Sequence, residues 1–175
     1  MSIYRISDYS RRVSAEARTP DPVAEAAAHW RERYPDGARF AALTGLIRTY
    51  GTTIRTIDTM LRPLGLSMAR FEVLLVLSFA RRKALPMGRL RDALMVHGSS
   101  VTYLADRLEE AGQVVRELDP ADRRRSLVRI TPAGEEAVRQ GCEALVGAGF
   151  GPLATLETAE LRDLDVMLGR VRATA

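Results

Sequence analysis

Cysteine is nearly missing from this 175-residue chain: Cys142 stands alone, which excludes an internal disulfide and a cysteine zinc cluster. Histidine is scarce as well, and His29 and His97 are too few for a histidine-rich metal site. Lysine is reduced to Lys83, so arginine supplies every other one of the 26 basic residues. No uncharged apolar run reaches the roughly 18 residues a membrane span needs, and the longest candidate, 73–80, suits only a buried helix face. Residues 1–20 carry Arg5, Arg11, Arg12 and Arg18 without an apolar stretch, so they do not read as a secretory signal. No Ser/His/Asp set, phosphate loop or supported carboxylate pair is visible, and neither an enzyme nor a cofactor is expected. With 46% apolar and 27% charged residues the chain is not intrinsically disordered as a whole; the expectation is a soluble, cytoplasmic protein away from membranes.

What is present is unevenly placed charge on a formal net charge of +4. Residues 81–129 hold 11 basic and 7 acidic groups, whereas 130–175 hold 4 and 7, so the middle is basic and the tail acidic. Arginine's planar fork suits phosphate and guanine.

Along the chain, residues 1–20 read as a flexible, polar N-terminal arm. Asp21-Pro22 opens a short helix over 23–34 that carries Trp30 and closes at Pro35-Asp36-Gly37. Phe40, Leu43, Ile47, Tyr50, Ile54, Ile57, Leu61 and Leu64 alternate in steps of three and four, one stripe of a long amphipathic helix that stops at Pro63-Leu64-Gly65. Ser67 caps a second helix through Phe71, Leu74, Leu75 and Leu77, ended by Arg81-Arg82-Lys83. Pro86 fits the first turn of a third helix with Leu90, Ala93 and Leu94. After a turn at 95–98, Ser99 or Ser100 caps a fourth helix with Val101, Leu104, Ala105, Leu108 and Ala111 on its inner face. Val114-Val115 and 127–130 read as strands joined by a long basic loop. Thr131-Pro132 starts a helix to about residue 146, and a last one spans 158–171. This is a mainly α chain with a small β-hairpin wing (α+β): a winged helix-turn-helix lobe at 65–131, an extra helix and first dimerisation helix at 21–64, and dimerisation helices at 132–175. The flanking helices present apolar stripes that one small lobe cannot cover, so a second copy of the chain is expected against them.

If the fourth helix buries its apolar face, Thr102, Tyr103, Asp106, Arg107 and Glu110 face outward. Ser99, Ser100, Thr102 and Tyr103 then lie in the turns that enter a major groove, and Arg107 reaches a phosphate or a guanine edge. Asp106 beside Arg107 reads as a solvated pair. Arg123-Arg124-Arg125 concentrate positive charge at the wing, where a narrow minor groove attracts arginine, while Asp119 and Asp122 partly neutralise it.

The stretch Val101 to Gly134 resembles the core of the MarR family of bacterial transcriptional regulators. The resemblance rests on Val101-Thr102, Asp106-Arg107-Leu108-Glu109, Gly112, Val115, Arg116, Asp119-Pro120, Asp122-Arg123-Arg124, Val128 and Ile130-Thr131-Pro132-Ala133-Gly134, and the helix order extends it over about residues 39–172. It implies a homodimeric repressor that reads a palindromic operator in double-stranded DNA. By that resemblance Thr102, Tyr103 and Arg107 read the major groove, and Arg124, supported by Asp122, is the minor-groove arginine. Many family members carry Arg where this chain has Tyr103. The added helix with Trp30 is similar to a urate-responsive branch, but Glu72 replaces its Asp and Leu104 its Arg, which removes the cation for an anionic purine. The family's effector pocket would fall near Trp30, Arg48, Tyr50, Met68, Arg70 and Glu72, with an aromatic or phenolic ligand. Trp30 also reads as a packing residue, and Cys142 as a structural thiol. The alternative is a winged-helix protein-interaction module without specific DNA binding, which retention of three wing arginines opposes.

Overall fold

The computed structural model describes residues 21–94, 101–119 and 122–173; the readings for 1–20, His97, Ser99 and Ser100 lie outside the described residues. Helix α1, Pro22–Arg31, starts where Asp21 Oδ1 accepts the Val23 N–H at 3.1 Å and Pro22 takes the first position. It ends three residues before the expected Tyr34, because the Trp30 carbonyl accepts the N–H groups of Arg33 and Tyr34 and turns the chain. Asp36, at φ 60°, completes the break. Helix α2 is the long amphipathic helix, Gly37–Leu61, followed by a 3₁₀ turn, Arg62–Leu64, and by Gly65 in the left-handed region at φ 69°.

The chain divides into two compact units at residues 51 and 52, inside α2. In the first unit, Trp30 stacks on Phe40 with centroids 4.3 Å apart and planes 11° apart, and its Nε1 donates to the Pro35 carbonyl at 2.7 Å. Tyr34 lies against the same indole at 4.7 Å. Three members of the α2 stripe, Leu43, Ile47 and Tyr50, are 57%, 64% and 60% exposed.

The second unit holds the core. Helix α3, Met68–Phe79, is capped by Ser67, and Asp58 of α2 also accepts the Met68 N–H at 2.6 Å. Its Phe71, Val73, Leu74 and Leu77 are buried, and it packs on the helices Val101–Glu110 and Pro132–Gly147 and on the strand Asp122–Ile130. Strand β1, Ala84–Pro86, precedes α4, Met87–Ala93; α5 is Val101–Glu110; β2, Val114–Asp119, and β3, Asp122–Ile130, form the wing. Helix α6, Pro132–Gly147, a 3₁₀ turn, Gly151–Thr155, and α7, Thr158–Arg172, follow. The sheet is antiparallel in the order β1-β3-β2. Leu90, Leu94, Val101, Leu104, Ala105, Leu108, Val114, Val128 and Ile130 complete the buried cluster under the wing.

Four local readings are corrected. Helix α3 stops at Phe79, not at Arg81-Arg82-Lys83; those residues form a turn, with Lys83 at φ 54°. Pro86 is not inside a helix but ends β1 opposite Leu127 and caps α4, since φ −58° and ψ 144° suit an edge strand that needs no donor. In place of the long basic loop, Arg123, Arg124 and Arg125 belong to β3, where they fall at a register shift between the pairs Leu118–Ser126 and Asp119–Asp122. Ala111 is exposed rather than inward, because α5 ends at Glu110 and Gly112, at φ 68°, reverses the chain.

Candidate nucleic-acid interface

An amphipathic pattern with period 3.6 fixes how α5 sits. Val101, Leu104, Ala105 and Leu108 are buried, which turns Thr102, Tyr103, Arg107 and Glu110 to solvent. The C-terminal end of α5 is held by a compact junction. The Gly112 N–H bonds to the Glu109 carbonyl at 2.9 Å and the Gln113 N–H to the Leu108 carbonyl at 2.8 Å. Thr131 then donates its hydroxyl to the Gly112 carbonyl at 2.8 Å while accepting the Gly134 N–H at 3.1 Å, joining the end of α5 to the start of α6. The wing is thus attached to α5 at one corner and to α6 at the other.

Asp106 and Arg107 do not pair with each other, as the sequence reading had them. Consecutive residues of a helix point about 100° apart, and each finds a partner on its own face. Arg107 Nη1 bonds to Glu110 Oε2 at 2.7 Å, and its guanidinium carbon lies 5.2 Å from the Tyr103 ring centroid. Its pKa is raised, first by a hydrogen bond with the Tyr103 side chain and then by the one with Glu110. Asp106 Oδ1 instead meets Arg116 Nη2, from β2, at 2.5 Å.

Arg116 was matched in the sequence but given no role. It also donates to the Thr102 carbonyl at 3.2 Å and lies 3.4 Å from Glu109 Oε2, while Glu109 Oε1 accepts its backbone N–H at 3.1 Å. Thr102, Asp106 and Glu109 recur at helical spacing along one face of α5, so a single wing residue latches that face. The spacing was readable; the residue that fills it, on another element, was not.

A second pair braces the wing itself. Arg129 Nε and Nη2 donate to Glu117 Oε1 across β2 and β3, and Nη1 donates to the Arg82 carbonyl at 2.7 Å. The Arg129 hydrogen bond holds the Glu117 carboxyl below its ordinary 4.5, with burial partly opposing. A depressed carboxyl pKa contributes stability above the unfolded value that is lost as pH falls through the folded one. The Glu117 carboxyl is therefore expected to titrate below 4.5 by NMR, and to return to about 4.5 in Arg129→Met; a wild-type value at or above 4.5 contradicts the pair.

The residues expected around an effector fall in different units. Trp30, Arg48 and Tyr50 belong to the first, where Arg48 and Tyr50 are exposed. Met68, Arg70 and Glu72 belong to the second, on α3, where Met68 and Arg70 are half-buried and Glu72 is 3% exposed. Leu104 is buried in the core cluster, and Cys142, on α6, packs against that cluster partly buried. Among the described residues no group of three or more His, Cys, Asp or Glu is placed to hold a metal ion, and no helix is long and apolar enough to cross a membrane.

A core of the three helices α3, α4 and α5, with one face of α5 exposed, and a three-stranded wing is a winged-helix architecture. The sequence profile of the MarR family matches residues 64–125. A MarR family transcriptional regulator from Streptomyces coelicolor is 32% identical, with a TM-score of 0.72 over 78% of this chain and 94% of that one. A mutant MarR of E. coli, solved in complex with operator DNA, is 29% identical, with a TM-score of 0.65 over 74% of this chain and 93% of that one. The HTH-type transcriptional regulator PecS of Dickeya dadantii is 28% identical over 85% of this chain and 92% of its own. The chain belongs to the MarR family of transcriptional regulators.

Proposed function

We propose that the chain is a sequence-specific DNA-binding repressor that works as a homodimer and is released from its operator by a small aromatic or phenolic ligand. The observation that carries this is the exposed face of α5, bearing Thr102, Tyr103 and Arg107, latched by Arg116 to a wing whose strand β3 carries Arg123, Arg124 and Arg125 near its start. In this reading Ser99, Ser100, Thr102, Tyr103 and Arg107 address the major groove, the wing arginines address the minor groove, and Asp122 orients Arg124.

The homodimer is supported by apolar surface that a single chain leaves in water. Besides Leu43, Ile47 and Tyr50 on α2, helix α7 has no buried residue, and its Val166 and Met167 are 62% and 55% exposed. Residues 21–64 and 132–175 then supply the dimerisation helices and 65–131 the DNA-binding lobe, with 1–20 as an arm. Two recognition helices related by a two-fold axis read half-sites about 10 bp apart. Sedimentation of the protein with a duplex it binds is expected to give two chains per duplex; one chain per duplex removes the dimer. Adding a panel of aromatic acids is expected to release the duplex with at least one of them, and no release by any contradicts the effector.

Arg116→Met is expected to lower DNA affinity about 10-fold, because it leaves Asp106 and Glu109 unneutralised beside the phosphates, at about 1 kcal/mol per charge pair at 4 Å in water. Thermal stability should fall little, since the pairs are partly exposed. Equal affinity of the variant and the wild type in anisotropy titrations contradicts the latch.

A further inference from the structure

Tyr103, Arg107 and Glu110 form a ladder along the exposed face of α5, at spacings of four and three residues, and all three are open to solvent. An arginine with one acidic neighbour is an ordinary solvated pair. Here the guanidinium has two neighbours: the Tyr103 ring 5.2 Å away and the Glu110 carboxylate at 2.7 Å. The ring is 57% exposed, so burial in the core is not what places it there.

This arrangement has two physical consequences. Glu110 occupies a donor at Nη1, and with Tyr103 beside the group the five-donor fork still has N–H groups to offer a base. Glu110 also cancels the charge of Arg107, so the ladder as a whole offers phosphate no net attraction. An arginine oriented in advance, with its charge offset by a neighbouring carboxylate, is a poor phosphate clamp and a good base reader, because it loses less freedom when it binds. Among the bases, guanine presents two acceptors, O6 and N7, to such a fork in the major groove.

We infer that Tyr103 is a specificity-determining residue: with Glu110 it presets Arg107 to read one guanine in each half-site. The inference rests on the DNA-binding reading above. Tyr103 holds Arg107 by its ring face and by its polar end, so Tyr103→Leu loses the presetting and Tyr103→Phe, which keeps only the ring, loses part of it. The ladder as a unit adds nothing to the salt dependence of binding, unlike the wing arginines.

The test begins by selecting bound duplexes from a random pool with wild-type protein. Each guanine of the enriched duplex is then replaced in turn by 7-deazaguanine, which lacks the N7 acceptor. Wild type, Tyr103→Phe, Tyr103→Leu and Arg107→Ala are titrated on every duplex across a salt series, with thermal melts to establish that each variant is folded. One position per half-site is expected to weaken wild type about 10-fold, Tyr103→Phe by an intermediate factor, Tyr103→Leu only about 2-fold, and Arg107→Ala not at all. The salt slope of Tyr103→Leu should equal that of wild type. A folded Tyr103→Leu protein that keeps the full wild-type response to that substitution overturns the inference and leaves the DNA-binding reading standing. A wild-type protein that enriches no sequence overturns that reading, and the inference with it.

Discussion

Arg124→Ala is expected to weaken binding to every DNA sequence by about 5- to 100-fold, corresponding to about 1–3 kcal/mol, and to reduce the slope of log affinity against log salt by about 1. Arg124 is the third residue of β3, close to where the pairing of Asp119 with Asp122 closes the wing. A cation carried there acts on the minor groove, whose edge pattern is degenerate, so its loss reduces affinity more than sequence preference. Position on the strand also separates this effect from unfolding: the buried wing residues Val114, Val128 and Ile130 lie at the opposite end of the hairpin. The variant should melt with the wild type and retain its preferred sequence. Unchanged affinity and unchanged salt slope would refute the wing assignment.

Gly134→Ala is expected to destabilise the fold by about 2–3 kcal/mol, although alanine in place of glycine inside a helix normally stabilises by about 1 kcal/mol. The sign is set by the close approach of α6 to the end of α5. A Cβ on Gly134 would stand 2.2 Å from the Gln113 carbonyl oxygen and 2.6 Å from Ile130 Cγ1. The first of these is backbone, and the same oxygen accepts the Thr131 N–H at 3.0 Å, so neither partner can withdraw without breaking the junction. Denaturant unfolding should show a lower midpoint with an unchanged slope. A midpoint equal to or above that of the wild type would mean that α6 shifts freely, and the junction would then not fix α5. Gly147, whose added Cβ meets nothing within 4 Å, is the matched control.

How far the sequence could be read depended on the range of the interaction. Helix α2 was legible because its stripe repeats over many turns, and the caps Asp21, Ser67 and Thr131 were legible because each bonds to a backbone N–H two or three residues away. Strand β1 was not: Ala84, Leu85 and Pro86 have no alternation, and only pairing with β3 makes them a strand. The wing arginines were read as a loop because a charge run has low strand propensity; they lie within β3, at the register shift between the pairs Leu118–Ser126 and Asp119–Asp122, which no local pattern announces. The exposed face of α5 followed from periodicity, but its electrostatics did not. Asp106 pairs with Arg116, ten residues on and across a turn, rather than with its neighbour. Thr131-Pro132-Ala133-Gly134 was recognisable as a motif, while the reason for its glycine, a carbonyl of Gln113, appears only when α6 is set against the end of α5.

The most direct test of the central claim is fluorescence anisotropy of the purified full chain with labelled DNA from upstream of its own gene, across a salt series and with nonspecific competitor present. Saturable binding that survives competitor and weakens steeply with salt is the result expected of a sequence-specific regulator whose wing and recognition helix both engage the duplex. Absence of binding at low salt by a folded, dimeric protein would contradict it and favour a winged-helix interaction module.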